Sequence, residues 1–196
     1  MNWRDKTVGF ALTGSHCTIQ ETMQQILRFV EAGANVIPIV SQTMMSTNTR
    51  FGEAEKWLRQ LQEITNNDII DAIVTAEPLG PSKRLDILVI APCTGNTTSK
   101  LANAMTESPV LMAAKAQLRN QRPLVIAIST NDGLGLNAMN VAKLINTKNI
   151  YFVPFGQDAP VNKPNSLVAK SSLIMETCVA ALQAQQLQPM IIQYES

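Results

Sequence analysis

The chain has 196 residues, 45% of them hydrophobic and 16% charged, and its 16 Lys and Arg against 15 Asp and Glu leave a net charge of +1. No basic run exceeds two residues, which argues against a nucleic-acid footprint. No apolar run approaches the length of a membrane span, and Met1–Lys6 lacks the apolar core of a signal peptide, so a cytoplasmic protein forming one domain over 1–196 is expected.

In chain order, Val8–Leu12 is a short apolar run that turns polar at Thr13–His16, which predicts a buried strand ending in a loop. Thr18 and Glu21 have the spacing of a capping box, and Ile19, Met23, Ile26, Leu27 and Val30 fall on one helical face up to Gly33. Val36–Val40 predicts a second strand, followed by the hydroxyls of Ser41, Thr43, Ser46 and Thr47. A helix is expected over Glu53–Ile64 with Trp57, Leu58, Leu61 and Ile64 on one side. Ile73 and Val74 suggest a short strand, and Pro78–Pro81 a rigid loop.

Ile87–Ile90 predicts a strand and Asn96–Ala104 a helix. Ser108 before Pro109 reads as an N-cap with Pro at the first helical position, opening a helix to about Leu118. Leu124–Ile128 predicts a strand, Asn137–Ile145 a helix, and Ile150–Val153 the last strand. Leu167–Leu187 predicts a closing helix with Leu173, Ile174, Cys178, Ala181 and Leu182 as its apolar face. Strands alternating with helices imply an α/β fold: a Rossmann-like, doubly wound, mostly parallel sheet with helices on both faces. In such sheets the ligand crevice lies beyond the carboxyl ends of the strands. The hydroxyl-rich stretches Thr13–Ser15, Ser41–Thr43, Pro92–Ser99 and Ser129–Asn131 all follow strands, so they converge on one edge of the sheet.

Thr13–Ser15 admits two readings: a phosphate cradle at a helix start, in which Gly14 lets backbone approach closely and Ser15 donates, or an ordinary strand-to-helix turn. Neither a GxGxxG fingerprint nor a GxxxxGK[ST] loop is present. Cys17, Cys93 and Cys178 are scattered, and with His16 as the only histidine they argue against a structural zinc site or any other metal. Cys93 has no second histidine to activate it and reads as a packed thiol. His16 and Glu77 are the candidates for acid or base. The low charged fraction suggests surface buried in a homo-oligomer.

The run PCTGNT at Pro92–Thr97, followed by Ser99, Lys100, Leu101 and Ala102, resembles the P-A-S-A-N-T…K-x-A motif of the flavoprotein superfamily, the family of the homo-oligomeric flavin-containing cysteine decarboxylases. Thr13–Ser15 and Ser129–Asn131 fit the same pattern. The resemblance implies an FMN cofactor held by Gly14, Ser15, Ser41, Thr43, Pro92, Thr94, Gly95, Asn96, Thr97, Ser129 and Thr130. The decarboxylases' histidine is missing from Thr75–Gly80, and their P-A-M-N clamp is replaced by Ser129–Asp132, so decarboxylation is not the first expectation.

The longer stretches GFALTGSHCTI, AEPLGP and NDGLGLNAMN are similar to one branch of that superfamily in sporulating bacteria. Its members work with a second, dehydrogenase-like protein, expected to bring NAD(P), and together aromatise a dihydropyridine dicarboxylate in the mother cell. That resemblance implies one half of a two-component oxidoreductase, with little activity by itself. The alternatives are an FMN-dependent decarboxylase or a non-catalytic stabilising partner. The dicarboxylate would need cationic or N–H donors, for which Arg50, Lys100, Asn131 and Lys163 are the candidates.

Overall fold

A computed structural model describes residues 1–82 and 84–193, with the backbone but not the side chain of His16. The strands are β1 (Thr7–Leu12), β2 (Asn35–Val40), β3 (Ile87–Cys93), β4 (Leu124–Thr130), β5 (Ile150–Phe152), β6 (Phe155–Gly156) and β7 (Leu167–Ala169). The helices are α1 (Ile19–Glu31), α2 (Gln42–Ser46), α3 (Ala54–Thr65), α4 (Ile73–Ala76), α5 (Leu79–Ser82), α6 (Gly95–Ala102), α7 (Pro109–Arg119), α8 (Ala138–Ile145) and α9 (Ile174–Leu182), with 3-10 turns at His16–Thr18 and Ser171–Leu173. Strands β2, β1, β3, β4 and β5 lie side by side in that order, all parallel. The last two residues of β4 leave β5 and pair antiparallel with β7, which pairs with β6. The expected mostly parallel, doubly wound sheet is what the chain forms.

All seven residues of β3 are buried, as a central parallel strand covered on both faces requires. Helix α1 packs between α3 and α9. Helix α7 packs against α4, α5 and α6, and α6 reaches α8. Each fully buried Ile or Leu along β1, β3 and β4 contributes about 1.5–3 kcal/mol. Trp3 and Phe10 meet Phe29 of α1 edge-on, at ring separations of 4.8 and 6.1 Å. Ser108 caps α7 as expected, accepting from Leu111 N at 3.2 Å. No helix among the described residues is long and apolar enough to cross a membrane.

Several local expectations are corrected. Thr18 is the N-cap of α1 but makes no side-chain cap; its hydroxyl donates to Ser15 O at 3.0 Å, because the chain enters α1 through a 3-10 turn. Ile73 and Val74 are not a strand. The edge strand β2 gains only a single bridge, Ile39 to Ile70, before the chain turns into α4, and Val74 is left 74% exposed. Pro78–Pro81 is no loop, since Leu79–Ser82 close one helical turn against α7.

Ile150–Phe152 is not the last strand, and Leu167–Ala169 is not the start of the closing helix. The unpaired end of β4 recruits β7, Thr130 opposite Leu167 and Ser129 opposite Val168, and the helix begins only at Ile174. Of its expected apolar face, Ile174, Cys178 and Ala181 are buried, and Leu173 and Leu182 are half-buried.

Candidate functional site

In a 2-1-3-4-5 sheet the direction of winding reverses between β1 and β3, and the loops leaving those two strands part around a crevice at their carboxyl ends. The sequence places Thr13 at that point, one residue beyond β1. Its buried Oγ1 donates to Pro92 O at 2.7 Å and accepts from Thr94 N at 3.1 Å. This one hydroxyl ties the loop after β1 to the loop after β3, and it satisfies two backbone groups that the sheet leaves over.

Thr94 caps α6. Its Oγ1 accepts from Thr97 N at 3.3 Å and lies 3.0 Å from Thr97 Oγ1, and its carbonyl accepts from the Thr98 hydroxyl at 3.0 Å. The first amides of α6 thus open onto the crevice, where the helix dipole favours negative charge. Ser15 reaches across: its Oγ lies 2.8 Å from Ser129 Oγ at the end of β4. Ser15 precedes a 3-10 turn and stands four residues ahead of α1, with its own N–H bonded to Thr13 O at 2.8 Å. Gly14 is half-buried beside it.

Gly95 is buried and marks a close approach. A Cβ there would come within 2.5 Å of Thr130 Oγ1, 2.7 Å of Asp132 Oδ1 and 2.8 Å of Asn137 Nδ2. Those three atoms form one network: the Thr130 hydroxyl donates to Asp132, Asn137 donates to the other oxygen of Asp132 at 2.8 Å, and Asn140 donates to Asn137 at 2.9 Å. The next residue, Asn96, is exposed, and among the described residues no protein group hydrogen-bonds its side chain. Its amide carries two donors and an acceptor into open crevice.

Ser41 and Thr43 follow β2, the neighbour of β1. Ser41 is committed to capping α2 through Met44 N at 3.4 Å, its N–H bonds Leu12 O at 3.0 Å, and Thr43 is exposed. Among the described residues, the remaining candidates make no hydrogen bond to this group. Arg50 sits in the connection between α2 and α3, its guanidinium 4.8 Å from the Phe51 ring centre. Asn131 is exposed just beyond β4. Lys100 is paired with Glu107.

Lys163 pairs with Asp158 at 3.0 Å. Partial burial pulls the Asp158 carboxyl upward, but the Ser166 hydroxyl and Lys163 outweigh it and hold the carboxyl below the usual range. Glu77 faces Lys115, Ala116 and Arg119 on the flank of α7, away from the crevice hydroxyls. His16, as a side chain, falls outside the described residues.

Sequence reasoning missed the Asp132–Asn137 network and the clasp role of Thr13. A signal for the clasp existed in a hydroxyl placed directly at the end of an apolar strand. The network had no signal, since it depends on where Gly95 lands.

Cys93 is buried beside Thr98 Oγ1 at 3.5 Å. Burial pushes its thiol up to about 12, against the small downward pull of that hydrogen bond, so it holds no thiolate at neutral pH. Burial raises Cys178 as well. Of the three free cysteines only Cys17 is exposed. A disulfide-exchange reagent at pH 8 is expected to titrate one thiol in the native protein and three in guanidinium. Rapid native reaction of a second thiol would contradict that burial. Among the described residues no cluster of His, Cys, Asp and Glu is arranged to hold a metal ion.

The crevice is open. The hollow behind Ser129, lined also by Thr18, Glu21, Pro92 and Ser171, is only about 20 Å³, room for one water. The chemistry on offer is a set of neutral hydroxyl and amide donors around a helix start, suited to a planar ligand with alternating donors and acceptors and an anionic tail.

The Flavoprotein family profile matches residues 2–192. The B subunit of dipicolinate synthase from Bacillus subtilis (strain 168) is 56% identical over 190 residues, covering 97% of this chain and 95% of that protein. The crystal structure of the dipicolinate synthase B subunit from Bacillus halodurans C superposes with a TM-score of 0.91 at 57% identity, covering 98% of this chain and 99% of that one. At the level of fold alone, the FMN-binding protein AtHal3 matches with a TM-score of 0.64 at 19% identity, covering 94% of this chain and all of that one.

Proposed function

Because this chain belongs to the flavoprotein family and, within it, to the group of dipicolinate synthase B subunits, we propose that it is the FMN-binding component of a two-component oxidoreductase that converts dihydrodipicolinate to dipicolinate in the mother cell of a sporulating bacterium. The observation that carries this reading is the convergence of Ser15, Ser129, Thr94 and the unpartnered Asn96 at the carboxyl ends of β1, β3 and β4. That donor set fits FMN. The phosphate is assigned to the Gly14–Ser15 loop and the ribityl hydroxyls to Ser41, Thr94 and Thr97. The edge of the ring system goes to Asn96, with Ser129 and Thr130 behind it.

Aromatisation removes a hydride and a proton from the dihydropyridine ring; oxidised NAD(P)+ on the dehydrogenase-like A component of dipicolinate synthase is assigned as the hydride acceptor, and the proton passes to solvent water. FMN, when bound, supplies a redox-active ring beside the substrate. This chain's residues orient the ring and hold its anionic tail. The dicarboxylate is assigned to Asn131, which follows β4 directly at the crevice edge. The test is reconstitution: the rate with both components should far exceed the rate with either one. Full activity from this chain and NAD(P) without the dehydrogenase-like component would reject the division of labour.

FMN titration probes the pocket directly. Asn96→Ala removes groups that meet only the ligand, at a cost of roughly 1–3 kcal/mol, or about ten- to hundredfold in affinity. Its melting temperature should match wild type, because the side chain makes no protein hydrogen bond to lose. Equal affinity for FMN in both proteins would remove Asn96 from the site.

An open crevice leaves a bound flavin wet on one side, and the surface next to it is apolar. Leu134, Leu136 and Met139 flank the start of α8, Leu136 93% exposed and Met139 80% exposed. Leu134 N bonds Asn165 O at 3.0 Å, in the same loop as Val161, which is 90% exposed. A second copy of the chain is assigned to cover this strip. Light scattering should give a mass that is a multiple of 21.4 kDa, and Leu136→Asp, which places a charge in the seam, should lower it to the monomer. A monomeric wild type at micromolar concentration would reject the assignment.

A further inference from the structure

A second hollow lies away from the crevice, between α6, α7 and α8. Helix α6 ends at Ala102 after two turns, and the chain turns aside at Ala104, which has a positive φ of 57°. Beyond that point α7 and α8 diverge and leave a cavity of about 460 Å³, within the usual range of roughly 300–1,000 Å³ for small-molecule sites. Its floor is Leu111, Leu144 and Ile150 of α7, α8 and β5, closed at one end by Leu101 and Ala102.

The rim is cationic on both walls: Lys115 and Arg119 from α7, Lys143 from α8. All three are exposed, and among the described residues none has an ion-pair partner; no Asp or Glu lines the cavity. Glu77 shares a separate cleft with Lys115 and Arg119 on the other flank of α7, without reaching ion-pair distance. An apolar floor beneath unpaired cations on opposite walls is complementary to one class of ligand, a compact apolar body bearing an anionic group.

We infer that the hollow between α6, α7 and α8 is a second small-molecule site that binds an amphipathic organic anion, such as a medium-chain or aromatic carboxylate. It is separate from the flavin crevice, from which α6 divides it, and it stands whether or not the flavin assignment does. The cations set the sign of the headgroup. The floor selects an apolar body over a small polar dicarboxylate, which would leave Leu111, Leu144 and Ile150 unmatched.

The probe is anilinonaphthalene sulfonate, an aromatic anion whose fluorescence rises in apolar sites. Full-length protein should enhance and blue-shift the dye. Decanoate should displace it and decanol should not, and saturating FMN should leave the signal unchanged. The double variant Lys115→Gln, Lys143→Gln alters only exposed rim positions, so circular dichroism should be unchanged while dye affinity falls about tenfold or more, the loss expected for two charge-assisted contacts. The proposal is overturned by a wild type that does not enhance the dye, by binding that the double substitution leaves intact, by displacement with FMN, or by equal displacement with decanol.

Discussion

Gly95→Val is expected to lower the melting temperature by about 5–15 °C, taking roughly 2–4 °C per kcal/mol for a chain of this size, and to abolish measurable FMN binding. The side chain has nowhere to go. Its first carbon would already sit at 2.5–2.8 Å from Thr130 Oγ1, Asp132 Oδ1 and Asn137 Nδ2. None of these is the free end of a flexible side chain. Thr130 and Asn137 both donate to Asp132, and Asn140 holds Asn137 in place.

To admit valine, the network must open and leave a half-buried carboxylate short of its donors. Charged hydrogen bonds are worth about 1.5–3 kcal/mol each, and overpacking adds about 1–3 kcal/mol. The alternative is that α6 moves outward. That carries Asn96 and Thr97 off the crevice and breaks the ligand site by geometry. Calorimetry with FMN titration reads both routes. An unchanged melting point and intact FMN binding would mean that the approach of α6 to β4 is loose, contrary to the contacts described.

Thr13→Val is expected to cost roughly 2–6 kcal/mol, from a buried and a half-buried backbone group left without a partner at about 1–3 kcal/mol each. Valine matches threonine in shape, so the core should not repack. What disappears is the clasp between the loops after β1 and β3, which holds Pro92 O at 2.7 Å and Thr94 N at 3.1 Å. Thr94 is also the cap of α6, so the loss reaches the residues assigned to FMN. Thr13→Ser keeps the hydroxyl and should recover most of both stability and FMN affinity. If valine and serine behave alike in denaturant unfolding, the hydroxyl is not what matters and the clasp is wrongly assigned.

The sequence by itself determined the layers and the edge on which the site sits. Apolar runs of four or five residues at Val8–Leu12, Val36–Val40, Ile87–Ile90 and Leu124–Ile128 are long enough to be buried strands, and each is followed by small hydroxyl residues. Local patterning suffices there because a central parallel strand must be apolar on both faces and its loop must be polar. The Ser108–Pro109 start of α7 was legible for the same local reason: cap and helical φ are written in adjacent residues.

Where the outcome depended on a distant neighbour, the pattern misled or fell silent. Ile73 and Val74 have strand composition, but β2 accepts only the one bridge between Ile39 and Ile70, and the pair became a helical turn. Leu167–Ala169 reads as helix, yet the free end of β4 offered backbone partners worth more than local propensity. Thr18 and Glu21 have capping-box spacing, but Thr18 turned to Ser15 O, and Glu21 accepts from Ser171 at 2.9 Å instead.

The same division runs through the site. Hydroxyls at strand ends were visible in the chain. That Ser15 meets Ser129 across 114 residues, that Thr13 clasps the loop of Pro92, and that Gly95 must be bare to lie against Asp132 were decided only when the sheet order 2-1-3-4-5 brought those strand ends together. Tertiary structure alone settles such pairs, because a hydrogen bond depends on distance in space and direction, and neither is encoded in sequence separation.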